Sequence, residues 1–322
     1  HRIMPLTESK PVIAIVLPCF NEEEVLPISI PKILSVIDRM SDEGIASADS
    51  FILCCNDGST DRTWEVIGRL NKADARVKGI SLAHNRGHQN VLLAGLLAVK
   101  DKCQAAVSID ADLQDDPEAI VEMVGAFNDG KEIVYGVRSD RSTDSWFKRS
   151  SAHLFYLIQQ KMGVDTIYDH ADFRLMSRRA IEMLGHYGES NLFLRGIIPQ
   201  IGLDTAKVAY RRHQRAAGES KYPFFKMLNF SVDGITSFSS KPIRWIFTTG
   251  LILLGIDILV AVWVLLSYFS GHVIGGWASI MVSLWFLGSL ILMSIGVVGE
   301  YIGKIFMEVK RRPRFEIADK IN

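Results

Sequence analysis

Apolar residues follow two different rhythms along this chain. Over the first two thirds, short apolar-rich runs, Val12–Leu17, Phe51–Cys55, Val77–Leu82, Ala105–Ile109 and Ile133–Val137, alternate with longer stretches near Glu23–Met40, Asp61–Leu70, Gly87–Lys100 and Pro117–Phe127. Runs this short and rich in branched residues suit strands buried on both faces, and the longer segments suit helices packed over them. The alternation predicts an α/β fold: a parallel sheet with right-handed crossovers and ligand sites at the carboxyl ends of its strands. Ser59 or Thr60 is placed to cap the second helix, and Asp115 or Asp116 the fourth, ahead of a first-turn Pro117.

The last third behaves differently. Ile243–Phe269 carries only Arg244 and Asp257 as charges, and Trp277–Ile302 carries only Glu300. At 1.5 Å per residue each stretch reaches about 40 Å, enough to cross a bilayer core of about 30 Å. Two transmembrane helices joined by Ser270–Gly276 are therefore expected. Lys241, Arg244, Lys304 and the run Lys310-Arg311-Arg312-Pro313-Arg314 flank them, while the joining loop holds no Lys or Arg. That asymmetry places both ends on the cytoplasmic side of a cell membrane, making the protein a multi-pass one. Before the first span, Tyr222–Ser240 has the aromatic and apolar content of a helix lying in the interface, with a core helix as the alternative. The expected organisation is a cytoplasmic domain over 1–222, an interfacial helix over 223–242, and a two-helix anchor with a basic tail over 243–322.

Composition removes several classes of function. Among 322 residues, 36 Lys and Arg balance 36 Asp and Glu. Such a chain lacks the basic excess of a sequence-independent nucleic-acid binder. Cys19, Cys54, Cys55 and Cys103 show no metal-ligand spacing, and Lys10-Pro11 ahead of a brief apolar run does not read as a secretory leader. The histidines, among them His84, His88, His153, His170, His186 and His213, show no ligand spacing either and read as surface or packing residues, His170 being the least settled.

What remains is a set of polar strand ends. The first strand ends Pro18-Cys19-Phe20-Asn21-Glu22, the second Asn56-Asp57-Gly58-Ser59-Thr60-Asp61, and the fourth Asp110-Ala111-Asp112-Leu113-Gln114-Asp115-Asp116. Asp110 and Asp112 are two residues apart and share a side if extended. Adjacent carboxylates repel unless one protonates or a cation sits between them. A hard divalent ion, Mg²⁺ or Mn²⁺, takes oxygen ligands from one or two carboxylates and fills its shell with substrate phosphates.

These motifs, with Asp172-Phe173-Arg174-Leu175 and Arg215-Ala216-Ala217-Gly218-Glu219-Ser220-Lys221-Tyr222, resemble those of family 2 glycosyltransferases. The resemblance is to the polyisoprenyl-phosphate branch, which includes dolichyl-phosphate mannose synthases and bactoprenol glucosyltransferases, and it spans the whole chain. It implies an A-type, Rossmann-like glycosyltransferase domain followed by the interfacial helix and two membrane helices. It also implies an inverting transfer of one sugar from a nucleotide diphosphate sugar to a membrane polyprenyl phosphate such as undecaprenyl phosphate, by a homo-oligomer, a tetramer in this family.

Under that resemblance Asp112 holds the metal, with Asp110 and Gln114 alongside, and Pro18, Asn21, Glu22 and Asp57 line the nucleoside pocket. Turn chemistry is the competing account of those four. The family usually carries Asp where Asn56 stands. An amide that reached the base would favour uridine over guanosine, although it can equally hold a neighbouring loop. UDP-glucose is therefore the first expectation, with UDP-N-acetylglucosamine and GDP-mannose as alternatives. A non-catalytic scaffold that binds nucleotide sugar is the non-enzyme reading.

On the acceptor side, Arg138, Arg215, Ser220 and Lys221 are candidates to hold a phosphate, Arg215 acting within a closing loop. For Arg211 and Arg212 two readings stand, the same group or a solvated basic face. Asp172 is offered as catalytic base or positioning residue, or as the structural ion-pair partner of Arg174.

Overall fold

The computed structural model describes residues 10–138, 170–189, 192–210, 241–270 and 276–322. They form two compact units, one built on a sheet and including Arg312–Asn322, the other a pair of long helices.

The sheet has eight strands: β1 (Ile13–Cys19), β2 (Phe51–Asn56), β3 (Val77–Leu82), β4 (Ala105–Ser108), β5 (Ile133–Arg138), β6 (His170–Ser177), β7 (Thr205–Tyr210) and β8 (Ile317–Ile321). Their order is β7-β5-β6-β4-β1-β2-β3-β8. Helices α1 (Leu26–Asp42), α2 (Thr63–Ala73), α3 (His88–Val99) and α4 (Ala119–Asn128) connect the first five strands. Every residue of β2 is buried, as the apolar run requires, and Ile13, Ile15 and Leu17 of β1 join Ile33, Ile37, Ile120 and Met123 in the core. On the opposite face α3 lies so close that a Cβ on Gly95 would come within 2.5 Å of Cys55 Sγ and Val16 Cγ1. All four cysteines are buried free thiols.

Two expectations change. The sheet is mixed, because β6 runs antiparallel between β4 and β5, while β1–β2, β1–β4, β2–β3 and β5–β7 are parallel. β6 places buried Asp172 and Arg174 among Phe173, Leu175 and Met176, so its charges hide the strand signal. Neither Ser59 nor Thr60 caps α2. Asp61 does the local work instead, its Oδ1 accepting from Thr63 N–H at 3.0 Å and Thr63 Oγ1 at 2.6 Å. At the fourth helix, Asp116 Oδ1 accepts from Glu118 N–H at 3.0 Å.

Two short helices, α5 (Arg178–Gly185) and α6 (Leu194–Gln200), follow β6. Ser177 caps α5 by accepting from Ala180 N–H.

The second unit holds α7 (Lys241–Phe269) and α8 (Trp277–Lys310). Among the described residues one segment, Ser283–Lys310, is long and apolar enough to cross a membrane by length and composition. The other expected span is a continuous helix, α7. In α8 the hydroxyls of Ser289 and Ser294 donate to the carbonyls of Trp285 and Leu290, keeping their polarity inside the helix.

The end of the chain departs from the expected basic tail. Beyond α8, Ile317–Ile321 pairs antiparallel with β3, Ala83 N–H donates to the Glu316 carbonyl, and Ile321 packs on the core. The short, charged sequence Ile-Ala-Asp-Lys-Ile carries too few apolar positions to announce itself as a strand. The expected divisions at 222 and 242, and the interfacial helix between them, lie outside the described residues.

Candidate active site

The loops after β1 and β2 are laced together largely by neutral groups, with the carboxylates of Asp61 and Glu23 accepting from the N–H groups of Glu23 and Arg62. Asn21 adopts φ +56°, a region asparagine tolerates better than most residues. Its side-chain oxygen accepts from Thr60 N–H at 2.9 Å, and its own N–H donates to Ser59 Oγ at 3.0 Å. The N–H of Glu22 donates to Thr63 Oγ1 at 2.8 Å, and the Glu22 carbonyl accepts from Val25 and Leu26 at the start of α1. Pro18 pairs in register with Cys55.

Asn56 is buried, donates to Ser81 Oγ at 2.9 Å and accepts from Ser59 N–H at 3.2 Å. It thus holds a neighbouring loop, and the inference from its amide to a uridine base loses its footing. Asp57 is buried too, and its oxygens accept from Arg86 and Gly87 N–H at 2.7 and 2.9 Å. Burial raises its pKa, and these two donations restrain the rise. Gly58, at φ +62°, lets this turn meet the β3–α3 loop: a Cβ there would lie 2.6 Å from the Asn85 nitrogen.

Charge gathers after β4. Leu113 is held at φ +48° and packs on the core, with its N–H on the Asp110 carbonyl at 3.2 Å, while Gln114 N–H donates to Asp112 Oδ1 at 3.2 Å. This turn sets Asp110 and Asp112 at the sheet edge beside a cleft of about 420 Å³ lined by Ser29, Lys32, Asp112, Leu113 and Asp116.

Half of the Asp110 side chain remains accessible. Its pKa is nevertheless pushed up to about 6, first by desolvation and then by Asp172, Asp115 and Asp112, with His88 opposing. Asp115 is buried, accepting from Tyr210 OH at 2.5 Å, and Arg138 reaches the same pair with Nε 3.4 Å from Tyr210 OH and Nη2 3.8 Å from Asp115 Oδ1. Arg138 is thus engaged with Tyr210 and Asp115, with about a third of its side chain accessible.

β6 adds Asp172. Ser108 Oγ at the end of β4 donates to the Asp172 carbonyl at 2.5 Å, so the antiparallel pairing carries this residue to the edge where Asp110 stands. The Asp172 side chain meets two guanidinium groups and an imidazole: Arg174 Nη2 at 2.6 Å, Arg195 Nε and Nη2 at 3.3 and 3.2 Å, and His88 Nε2 at 3.5 Å. Burial alone would raise its pKa, but His88, Arg174 and Arg195 together hold it well below the usual carboxylate range. His88 is desolvated as well, yet Asp172 and Asp110 raise its pKa overall.

The expected ion pair with Arg174 is present. His88 and Arg195 are the residues sequence reasoning missed, and His88 in particular is no mere surface histidine. The strand-end rule could have singled out His88, which opens the helix after β3, whereas Arg195 carries no local signal. Arg211, Arg212, Arg215, Ser220 and Lys221 lie outside the described residues.

Among the described residues no group of three or more His, Cys, Asp or Glu side chains is arranged to hold a metal ion. The donors present are the oxygens of Asp110, Asp112 and Gln114. Crowded carboxylates with one raised pKa suit a hard divalent ion that draws its remaining ligands from substrate phosphates.

The acidic turn stands at the carboxyl end of a central strand of an α/β sheet, where such sheets bind ligands. The family model "Glycosyl transferase family 2" matches residues 14–185, and the chain belongs to that family: it is a glycosyltransferase. It is 48% identical over 312 residues, 97% of this chain and 93% of the relative, to an uncharacterized glycosyltransferase, YkoT, of Bacillus subtilis. It is 38% identical over 310 residues, 96% of this chain and 99% of the relative, to a bactoprenol glucosyl transferase of Shigella phage SfX. Among solved structures, a mannosyltransferase from Pyrobaculum calidifontis, in complex with GDP-Man and Mn²⁺, aligns with TM-score 0.47 at 14% identity, covering 94% of this chain and 90% of that one.

Proposed function

We propose that this glycosyltransferase moves a single hexose, with inversion, from a nucleoside diphosphate sugar to a polyprenyl phosphate at a membrane. The observation that carries the reading is the Asp110–Asp112 turn at the carboxyl end of β4, where desolvation, with neighbouring carboxylates adding to it, raises the Asp110 pKa to about 6. The relative named bactoprenol glucosyl transferase supports undecaprenyl phosphate as acceptor and glucose as the sugar, and UDP-glucose is the first donor to try.

The departing group of such a donor is a diphosphate whose negative charge must be met as the bond breaks. A divalent cation, Mg²⁺ or Mn²⁺, held by Asp112 with Asp110 and Gln114, would supply that neutralisation when bound. The acceptor makes little demand for a base, because a phosphate monoester with a second pKa near 6 is largely ionised at neutral pH. Asp172 is poorly suited to take a proton, since Arg174, Arg195 and His88 favour its ionised form, so its role is to position them. Asn21, Asp57 and the backbone they hold shape the nucleoside side. Arg215, Ser220 and Lys221 are assigned to the acceptor side, and Arg138 steadies Asp115 and Tyr210 beside it.

Both α7 and α8 are assigned to the membrane, with the 270–276 loop on the far side and the catalytic unit in the cytoplasm, at the inner membrane of the cell. Self-association as a tetramer is the corresponding expectation for the purified chain.

The test uses the full chain in detergent with undecaprenyl phosphate and radiolabelled UDP-glucose, UDP-N-acetylglucosamine or GDP-mannose. Lipid-linked sugar that forms with Mg²⁺ or Mn²⁺, and disappears on chelation, is the expected result. Transfer that persists in Asp112→Ala, or no transfer from any of the three donors, overturns the reading.

A further inference from the structure

The turn after β4 has two faces. Asp110, Asp112 and Gln114, whose oxygens are assigned to the metal, all stay at least partly accessible. The residues between and after them point into the protein: Ala111 is buried, Leu113 packs on the core, and Asp115 is 3% exposed. One row of side chains thus fastens the turn while the other is presented. The bonds inside the turn, Leu113 N–H to the Asp110 carbonyl and Gln114 N–H to Asp112 Oδ1, set its shape but not its place on the sheet.

Of the three fastenings, the third differs in kind. Ala111 and Leu113 hold by apolar packing, which is non-directional. Asp115 holds by a hydrogen bond, its Oδ1 accepting from Tyr210 OH at 2.5 Å. Tyr210 ends β7, and in the order β7-β5-β6-β4 two strands separate it from the strand that carries the turn. Its side chain reaches across them and is fixed on both. The ring meets Phe173 of β6 edge to face, with centroids 5.1 Å apart, and the backbone is in register with Arg138 of β5, whose Nε lies 3.4 Å from the hydroxyl. A buried carboxylate is a costly fastening where an apolar residue would pack for less. What it adds is direction, at the position next to Gln114 and three after Asp112.

We propose that Tyr210 is a positioning residue for the metal-holding turn: its hydroxyl, by gripping Asp115, sets where Asp112 and Gln114 offer their oxygens to the divalent ion. The inference rests on the reading above, that this turn holds a divalent ion under a nucleoside diphosphate. It adds a residue that lies outside the acidic motif and 95 positions from Asp115 in sequence. Tyr210 acts through Asp115, not on the substrate.

The experiment measures Mn²⁺ binding by the full chain in detergent, read from the paramagnetic resonance of free Mn²⁺, with saturating UDP, or GDP if the donor panel selects it. Sugar transfer to undecaprenyl phosphate is measured in parallel. The chains are wild type, Tyr210→Phe, Asp115→Ala, Asp115→Asn and the Tyr210→Phe/Asp115→Ala double variant, and thermal melting establishes which are folded at the assay temperature. Groups that hold metal ligands in place are generally worth about 10–100-fold in metal affinity or activity. Tyr210→Phe keeps the ring and loses one oxygen. It is expected to weaken Mn²⁺ binding about 10-fold and to lower kcat, with the lipid KM within about 2-fold of wild type. A hydroxyl that merely satisfied a buried carboxylate would lower the melting temperature and leave Mn²⁺ binding and kcat alone. In the Asp115→Ala background Tyr210→Phe should add less than about 2-fold, because the hydroxyl has lost the group it acts on.

Wild-type Mn²⁺ affinity in folded Tyr210→Phe, or losses that simply multiply in the double variant, overturns the inference. Should Tyr210→Phe fail to fold, Asp115→Asn against Asp115→Ala decides: both lose the charge, and only asparagine leaves the hydroxyl an oxygen to grip. Tighter Mn²⁺ binding in Asp115→Asn is then expected, and equal binding overturns the inference. A wild-type chain that binds no Mn²⁺ with nucleotide would instead sink the reading on which the inference stands, and the inference with it.

Discussion

Along one edge of the sheet, the ends of β1 and β2 and the neighbouring ends of β4 and β6 are held by opposite means. The first pair is stitched mainly by amides, hydroxyls and backbone N–H groups, Asn21 to Thr60, Asn56 to Ser81 and Ser59, Thr63 to Glu22, with the carboxylates of Asp57, Asp61 and Glu23 accepting from backbone N–H groups. The second pair is held by ions, with Asp172 clasped by Arg174 and Arg195, and Asp110 crowded by Asp112, Asp115 and Asp172. A lattice made mostly of neutral groups fixes shape at small cost and depends little on salt. An ionic one carries unfavourable like-charge contacts in the resting protein, and those contacts turn favourable only when a charged substrate or metal arrives.

Substitutions can break or sharpen this contrast. The largest effect is expected from Asp172→Ala, which strands the buried Arg174 guanidinium without its carboxylate and should cost about 3–5 kcal/mol in urea denaturation. Next is Asp112→Asn, expected to slow lipid-linked sugar formation by about 100-fold or more in a steady-state assay while leaving the melting temperature nearly unchanged. On the neutral side, Gly58→Ala forces a Cβ against the Asn85 backbone at a left-handed φ and should destabilise by about 2 kcal/mol, read by the same denaturation.

Asp110→Asn is expected to stabilise. The Asp110 pKa of about 6 lies above the unfolded value near 4, so ionisation in the folded state costs stability as pH rises from about 4 to 6. Removing the charge should therefore gain about 1 kcal/mol at pH 7, after allowance for an accessible side chain, and nothing at pH 4. Thermal melting without metal at the two pH values checks it, and activity should fall in the same variant. The smallest effect is expected from Asn56→Asp. Because Asn56 faces Ser81 and Ser59, preference between UDP- and GDP-sugars should shift by less than about 2-fold in a donor competition assay.

The same contrast explains what could be read from the chain alone. β1 through β5 and α1 through α4 were legible because each strand is a buried apolar run, α1, α2 and α4 each have an apolar face, and α3 is an apolar stretch too long for a strand. Asp110 and Asp112 stood out because acidic residues directly after such a run have few structural excuses. β6 was not legible, since Asp172 and Arg174 interrupt its apolar pattern and are affordable only because they face each other. Arg195 had no signal, its meaning arising only when α6 folds against α3. Asn56 left two readings open, a base contact or a hold on a neighbouring loop, and only the folded contacts with Ser81 and Ser59 choose the second.

β8 has a consequence for the order of synthesis. The ribosome makes Ile317–Ile321 only after both long apolar helices, so β3 waits with a row of unpaired backbone groups while those helices are being made. A soluble fragment cut before α7 would keep that open edge permanently and invite strand addition by another copy. Joining Ile317–Ile321 to such a fragment through a short designed linker should restore a closed margin and a monodisperse catalytic unit.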